Sequence, residues 1–178
     1  YEGLARMNIL TYNLARDMRS YRISETGGFN FAELFRTETI PSDNAAPNIQ
    51  TQFVHEADVR KFVKLIGKSN TNKLYPYANK QLAGSLDNTL WYVPGVQAAH
   101  CLARILSEQT PDNPFGEYNI VDVAGEGNFA EERSDIYEQT KHEHDALERV
   151  KTAIANSKKT ITLSCGRLTM GVSVPEWT

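Results

Sequence analysis

An open α/β sheet of parallel strands, flanked by helices, is the fold class this chain predicts, on three observations. From Asp87 onward, strand-like and helix-like segments alternate in the order strand, helix, strand, helix, strand. That alternation calls for right-handed crossovers between parallel strands. The first strand, Thr89-Leu90-Trp91-Tyr92-Val93, carries no charge, as expected for a strand covered on both faces. Each of the three strands runs into a glycine-bearing loop, at Pro94-Gly95, at Ala124-Gly125-Glu126-Gly127 and at Gly166. In such sheets ligands collect at the carboxyl ends of the strands.

The elements follow in order. Residues 7–12 (MNILTY) form a short strand candidate. Residues 13–52 then lose periodicity and gather turn formers, namely Gly27-Gly28, Pro41-Ser42-Asp43-Asn44 and Pro47-Asn48. They predict a long irregular arm, partly mobile around 37–52, in which Phe29, Phe31, Leu34 and Phe35 pin one helical turn onto the body. Val59, Phe62, Val63 and Ile66 recur at helical spacing between His55 and Gly67, which predicts an amphipathic helix ended by a glycine cap. After the strand at 89–93, Ala99, Leu102, Ala103 and Leu106 make the stripe of a second helix. Tyr118–Val123 is the next strand, and a long helix runs from about Ser134, a plausible N-cap, to Asn156 with Ile136, Leu147, Val150 and Ile154 on one side. Thr160 to Cys165 is the last strand. The chain thus divides at about residue 84 into a lead-in segment and an α/β layer.

Composition narrows the function classes. The 178 residues are 40% hydrophobic, enough for one core. A net charge of -3 and a pI near 5.8 argue against DNA binding through bulk positive charge, while leaving a local groove open. Cys101 and Cys165 sit in apolar segments and read as buried free thiols of a cytoplasmic protein, with a disulfide as the alternative. No apolar run is long enough to span a bilayer, and no signal-peptide pattern is present, so no membrane is expected as partner.

The most specific segment is the last. Thr160-Ile161-Thr162-Leu163-Ser164-Cys165 breaks into Gly166-Arg167-Leu168-Thr169-Met170-Gly171-Val172-Ser173-Val174-Pro175. Physically this is a strand feeding a tight loop of hydroxyls between glycines, closed by a proline that stops the strand. It resembles motif V of superfamily 2 helicases and translocases, in the Leu-Thr-x-Gly-x-x-Val-Pro form of restriction-type DNA translocases. Trp91-Tyr92-Val93-Pro94-Gly95-Val96 and the alanine-rich helix after it stand in the place of motif IV, and Val123-Ala124-Gly125 matches the strand end that follows. Alone, Val-Pro-Gly reads as a simple strand-to-helix turn, and with motif V at the right distance downstream the two readings stand level.

The resemblance covers roughly 85–178 and implies an incomplete second RecA-like domain of an ATP-dependent DNA motor. It implies nucleic-acid contacts from Gly95, Val96, Gly125, Arg167 and Thr169, and nucleotide or interdomain contacts from Gly171 and Ser173. Arg167 has the charge to pair with phosphate or with a partner carboxylate, or is a solvated loop arginine. Ser173 departs from the pattern, since many helicases carry Asp there, which puts a strong nucleotide contact in doubt. The implied partners are DNA, the first RecA-like domain of the same parent chain, and other restriction-modification subunits. The start at Tyr1 without methionine and the stop at Thr178 fit a fragment of a longer polypeptide.

Other patterns carry less. A phosphate-binding P-loop needs a glycine where Phe62 stands, so Gly67-Lys68-Ser69 is not one, and Val121-Asp122-Val123 holds a lone acid rather than a Walker B pair. ATP and Mg²⁺ are therefore expected in the parent protein and not on this chain alone, and no catalytic residue is expected within it. His142-Glu143-His144-Asp145 lacks the spacing of three or four that helical metal ligands need, so no metal site is expected. From Glu126 to Glu148 eight acids face two bases and should turn away from DNA. Arg149, Lys151, Lys158, Lys159 and Arg167 then reverse the sign and suggest DNA along one edge. A reading from a different class stays open, a non-catalytic α/β module that only binds a protein or nucleic-acid partner.

Overall fold

The computed structural model of the chain describes residues 12, 14–21, 29–40, 50–67, 75–125, 136–166, 168 and 174–177. Its sheet is built from β3 (Asn88–Tyr92), β4 (Asn119–Asp122) and β5 (Thr160–Ser164), all parallel, in the order β3-β5-β4. Helix α5 (Val96–Leu106) connects β3 to β4, and α6 (Ile136–Asn156) lies between β4 and β5 in the chain. The expected α/β class and its parallel strands are present. One expectation is corrected. The strand covered on both faces is β5, every residue of which is buried, whereas β3 lies at the side of the sheet with Tyr92 69% exposed. Lack of charge in β3 reflects an aromatic packing layer on one face only.

Each face of the sheet meets its own helix. Ile161 and Leu163 of β5 join Val93, α5 residues Ala98, Leu102 and Ile105, and Phe53, Phe62 and Phe115 in the larger core. Register places Trp91 beside Leu163 and Ile120 beside Ile161 on this face. On the other face Val121 and Val123 pack with Ala146 and Val150 of α6 and with Leu168. The larger core also takes in Leu34, Val59 and Val63, so the lead-in segment and the sheet share one apolar interior.

The segment expected to be an irregular arm has more order than its polar sequence suggests. Leu14–Asp17 (α1) is followed by a 3-10 turn at Arg19–Tyr21, and Phe31–Leu34 (α2) is the expected helical turn, capped by Asn30 through a bond from the Glu33 amide at 3.0 Å. Thr37–Ile40 (β1) and Gln50–Phe53 (β2) then pair antiparallel, which corrects the reading of 37–52 as irregular. Phe53, 2% exposed, anchors this ribbon in the core. The expected strand at 7–12 lies, apart from Tyr12, outside the described residues, as does the expected cap Ser134.

Helix α3 (Glu56–Gly67) buries Val59, Phe62 and Val63, as its spacing requires. Gly67 is its last residue, and the reason for glycine is packing. A Cβ there would stand 2.7 Å from Pro114 Cβ and 2.8 Å from Phe115 Cε2. On its outer side α3 is clipped to the chain after α5, since the Arg60 fork donates to both Glu108 oxygens at 2.6 and 2.7 Å and to Glu56 at 2.9 Å. Two short elements complete the description, a 3-10 turn at Pro76–Ala78 and α4 (Lys80–Ala83). Tyr77 accepts from Trp91 Nε1 at 2.9 Å and bonds the Thr89 hydroxyl at 2.7 Å, and burial pushes its own hydroxyl up to about 12.

Candidate functional site

Because the three strands are parallel, their carboxyl ends meet one edge of the sheet. The order β3-β5-β4 sets the end of β5 between the other two. At the β3 end Val93 is still held by Ser164 (amide to carbonyl, 2.7 Å), after which Pro94 and Gly95 turn directly into α5. Gly95 is the N-cap and has no side chain with which to satisfy the helix amides, so those of Val96, Gln97 and Ala98 open toward this edge without an intrahelical acceptor. A helix start of this kind favours an anion. The backbone of Gly95 is extended and a Cβ there meets nothing within 4 Å, so neither conformation nor crowding demands glycine at this position. Val96 is partly buried against the larger core, which leaves its amide rather than its side chain for a ligand.

Glycine is required at the other two strand ends. Gly125 has φ 114° and Gly166 φ 145°, both in the region that side chains avoid, and Leu168 follows at φ 60°. Thus the three strand ends that sequence grouped share an edge, and glycine is conformationally required at two of them. Of the residues implied by the resemblance, Gly95, Val96 and Gly125 are at this edge. Arg167, Thr169, Gly171 and Ser173 lie outside the described residues.

The same edge holds a polar cluster that sequence did not single out. His100, one turn into α5, bonds through Nδ1 to Asp122 Oδ2 at the end of β4. The second Asp122 oxygen accepts the Ala124 amide at 3.0 Å, and the Asp122 carbonyl accepts from Arg149 Nη2 of α6 at 2.9 Å. Cys165 Sγ, at the end of β5, donates to the Ala124 carbonyl at 3.3 Å. The cluster therefore ties α5, β4, β5 and α6 together at the carboxyl edge of the sheet. The signal available in sequence was alternation. Asp122 shares a face with Ile120, so an acid at that position must look toward α5, and His100 is the titratable residue of that helix nearest its start.

Charge is distributed otherwise than expected. Arg149 reaches the carboxyl edge, but Lys159 sits at the amino edge, where it pairs with Glu117 at 2.8 Å and covers the Tyr118 ring at 5.3 Å. The basic stretch does not line one edge. Both cysteines are free thiols, Cys101 buried and Cys165 partly so, and burial pushes the Cys101 thiol up. His144 and Asp145 are exposed, and no group of His, Cys, Asp or Glu among the described residues could hold a metal ion. No helix among the described residues is long and apolar enough to cross a membrane.

Beside Pro94 a cavity of about 570 Å³ opens, lined by aromatic rings that include Phe31, Phe62, Tyr75, Trp91 and Tyr92. Phe31 and Tyr92 are the large hydrophobic side chains exposed among the described residues, and both stand at this cavity. Comparison with known proteins assigns no family to this arrangement: no family model matches the chain, and no curated protein or solved structure matches it either.

Proposed function

We propose that this chain is the greater part of the second motor domain of a cytoplasmic ATP-dependent DNA helicase or translocase, of the restriction-modification kind. The observation that carries the proposal is the carboxyl edge. A helix start without a side-chain cap and two left-handed glycines converge where three parallel strands end. That arrangement suits a phosphate backbone gripped by main-chain amides, which fix position without reading bases. The sequence from Leu168 to Pro175 supports the same reading through its likeness to motif V.

In such a motor, nucleotide hydrolysis between two domains alternates the grip of strand-end loops on DNA. ATP and Mg²⁺ would be held chiefly by the first domain of the parent. The described residues fit neither: Gly67 is the last residue of α3 rather than the start of a helix, and no group of carboxylates able to hold a metal ion is present among them. Arg167 and Thr169 would supply charge and a hydroxyl to phosphate, and Gly171 and Ser173 would face the nucleotide or the partner domain.

The test is DNA-stimulated ATP hydrolysis by the full-length parent. Arg167→Ala is expected to weaken stimulation and to lower the salt dependence of DNA binding by about one phosphate contact. Thr169→Ala should cost on the order of 1 kcal/mol, alike for every DNA sequence. Unchanged stimulation, affinity and salt slope in both variants would return the loop to a turn that ends a buried strand. DNA binding by a parent without ATP turnover would favour the non-catalytic module.

A further inference from the structure

We infer that His100 is a phosphate-contacting side chain, held in position by Asp122. The inference rests on the carboxyl edge being the ligand-facing edge. Within the cluster, Nδ1 of His100 is committed to Asp122, whose other oxygen is fixed by the Ala124 amide. The imidazole therefore has a set orientation, and Nε2 has no hydrogen-bond partner among the described residues. The His100 side chain is 38% exposed against 19% for Asp122, so the ring, rather than the acid, meets the ligand. His100 lies one turn beyond Val96, on the helix whose opening amides face the same edge.

Other uses of an aspartate-held imidazole are less well supplied here. A metal would need further ligands, and none gather among the described residues. A thiol nucleophile would need to give its proton to the ring, yet Cys165 directs its S–H at the Ala124 carbonyl. Phosphate needs only a donor. Neutral imidazole with its proton on Nδ1 offers a lone pair at Nε2, whereas the protonated ring offers Nε2–H and cancels the charge of Asp122. Asp122 of β4 is bonded to the ring, while Arg149 of α6 and Cys165 of β5 reach the neighbouring Asp122 and Ala124 carbonyls and Arg104 follows one turn along α5.

The shared chemistry is a phosphate oxygen, from a nucleic-acid backbone or from a nucleotide. The experiment measures binding of a fluorescent oligothymidylate to the full chain, and its competition by inorganic pyrophosphate, across a range of salt concentrations. His100→Gln should lose about 3- to 10-fold in affinity and lower the salt slope by about one contact. Asp122→Asn should weaken binding less than this while keeping the ring. A titration of the wild-type chain followed at the His100 ring nitrogens by NMR needs no variant to fold, and should move Nε2 more than Nδ1. Equal binding by wild type and His100→Gln with unmoved ring signals overturns the inference and leaves the nucleic-acid reading standing. Pyrophosphate binding that depends on His100, with no oligonucleotide binding, supports the inference and overturns the DNA reading. Binding of neither overturns both.

Discussion

The two faces of β5 are equally buried and chemically opposite. Ile161 and Leu163 look into the aromatic core beneath α5, while Thr160, Thr162 and Ser164 look toward the α6 side, and each of the five is 0% exposed. The apolar face is stabilised collectively, through area removed from water. The hydroxyl face has to be satisfied one group at a time. Thr160 Oγ1 donates to Asn88 Oδ1 at 2.9 Å, and Ser164 Oγ accepts the Gly166 amide at 3.2 Å. Thr162 Oγ1 has no partner among the described residues. Identical burial therefore hides different energetics, and only the partners distinguish them.

Substitutions test this contrast directly. Leu163→Ala should have the largest effect, a loss of about 3 kcal/mol in urea unfolding, because a closed core cannot collapse around the missing atoms. A loss below about 1 kcal/mol would mean that the apolar face is not the main support of the sheet. Gly67→Ala attacks the same core from outside by driving a methyl group into Pro114 and Phe115, and should cost about 1–3 kcal/mol. On the hydroxyl face Thr160→Val should cost about 1 kcal/mol, the net worth of its bond to Asn88. Thr162→Val breaks no bond and should leave stability within about 0.5 kcal/mol of wild type or raise it. Equal losses from these two substitutions would erase the distinction between a partnered and an unpartnered hydroxyl.

A further small effect concerns the clip outside the aromatic core. Hydrogen bonds from Arg60 hold the Glu108 carboxyl below its ordinary value of 4.5. A depressed carboxylate adds stability that is complete above the ordinary value and is lost as pH falls through the lower folded one. Both side chains are partly exposed, so the effect should stay below about 1 kcal/mol. Urea unfolding compared at about pH 6 and about pH 3 should show this loss in wild type, and Arg60→Met should remove that part of it.

Most of the α/β layer was legible because its signals are strong. Helices α3 and α5 carry apolar stripes, and β3, β4 and β5 are short apolar runs bounded by turn formers. The β1–β2 ribbon was not legible. Thr37-Glu38-Thr39-Ile40 and Gln50-Thr51-Gln52-Phe53 are mostly polar, with one apolar residue each, and they flank a proline- and asparagine-rich stretch that reads as loop. The covering of β3 was misjudged because aromatic residues look equally apolar whether one face or two are covered. At the candidate site, glycines announced the edge, while His100 and Asp122 did not. Each is a single titratable residue among mainly apolar neighbours, and only the parallel topology brings them together across a separation of 22 residues.

The position of β5 in the sheet also has a consequence for how the chain folds as it is made. Among the described strands, β3 and β4 pair with β5 and not with each other. Thr160, where β5 begins, bonds Asn88 across 72 residues of chain. While a ribosome extends the chain, β3 and β4 therefore emerge with backbone edges that lack their shared neighbour. These three strands can join only when β5, the last of the three to be synthesised, slides between two that are already waiting, a high-contact-order event that folds slowly. Until then α5 can shield one face of those strands but not their edges. The nascent chain is thus most exposed to aggregation, and most in need of a chaperone, in the interval before Thr160 leaves the exit tunnel.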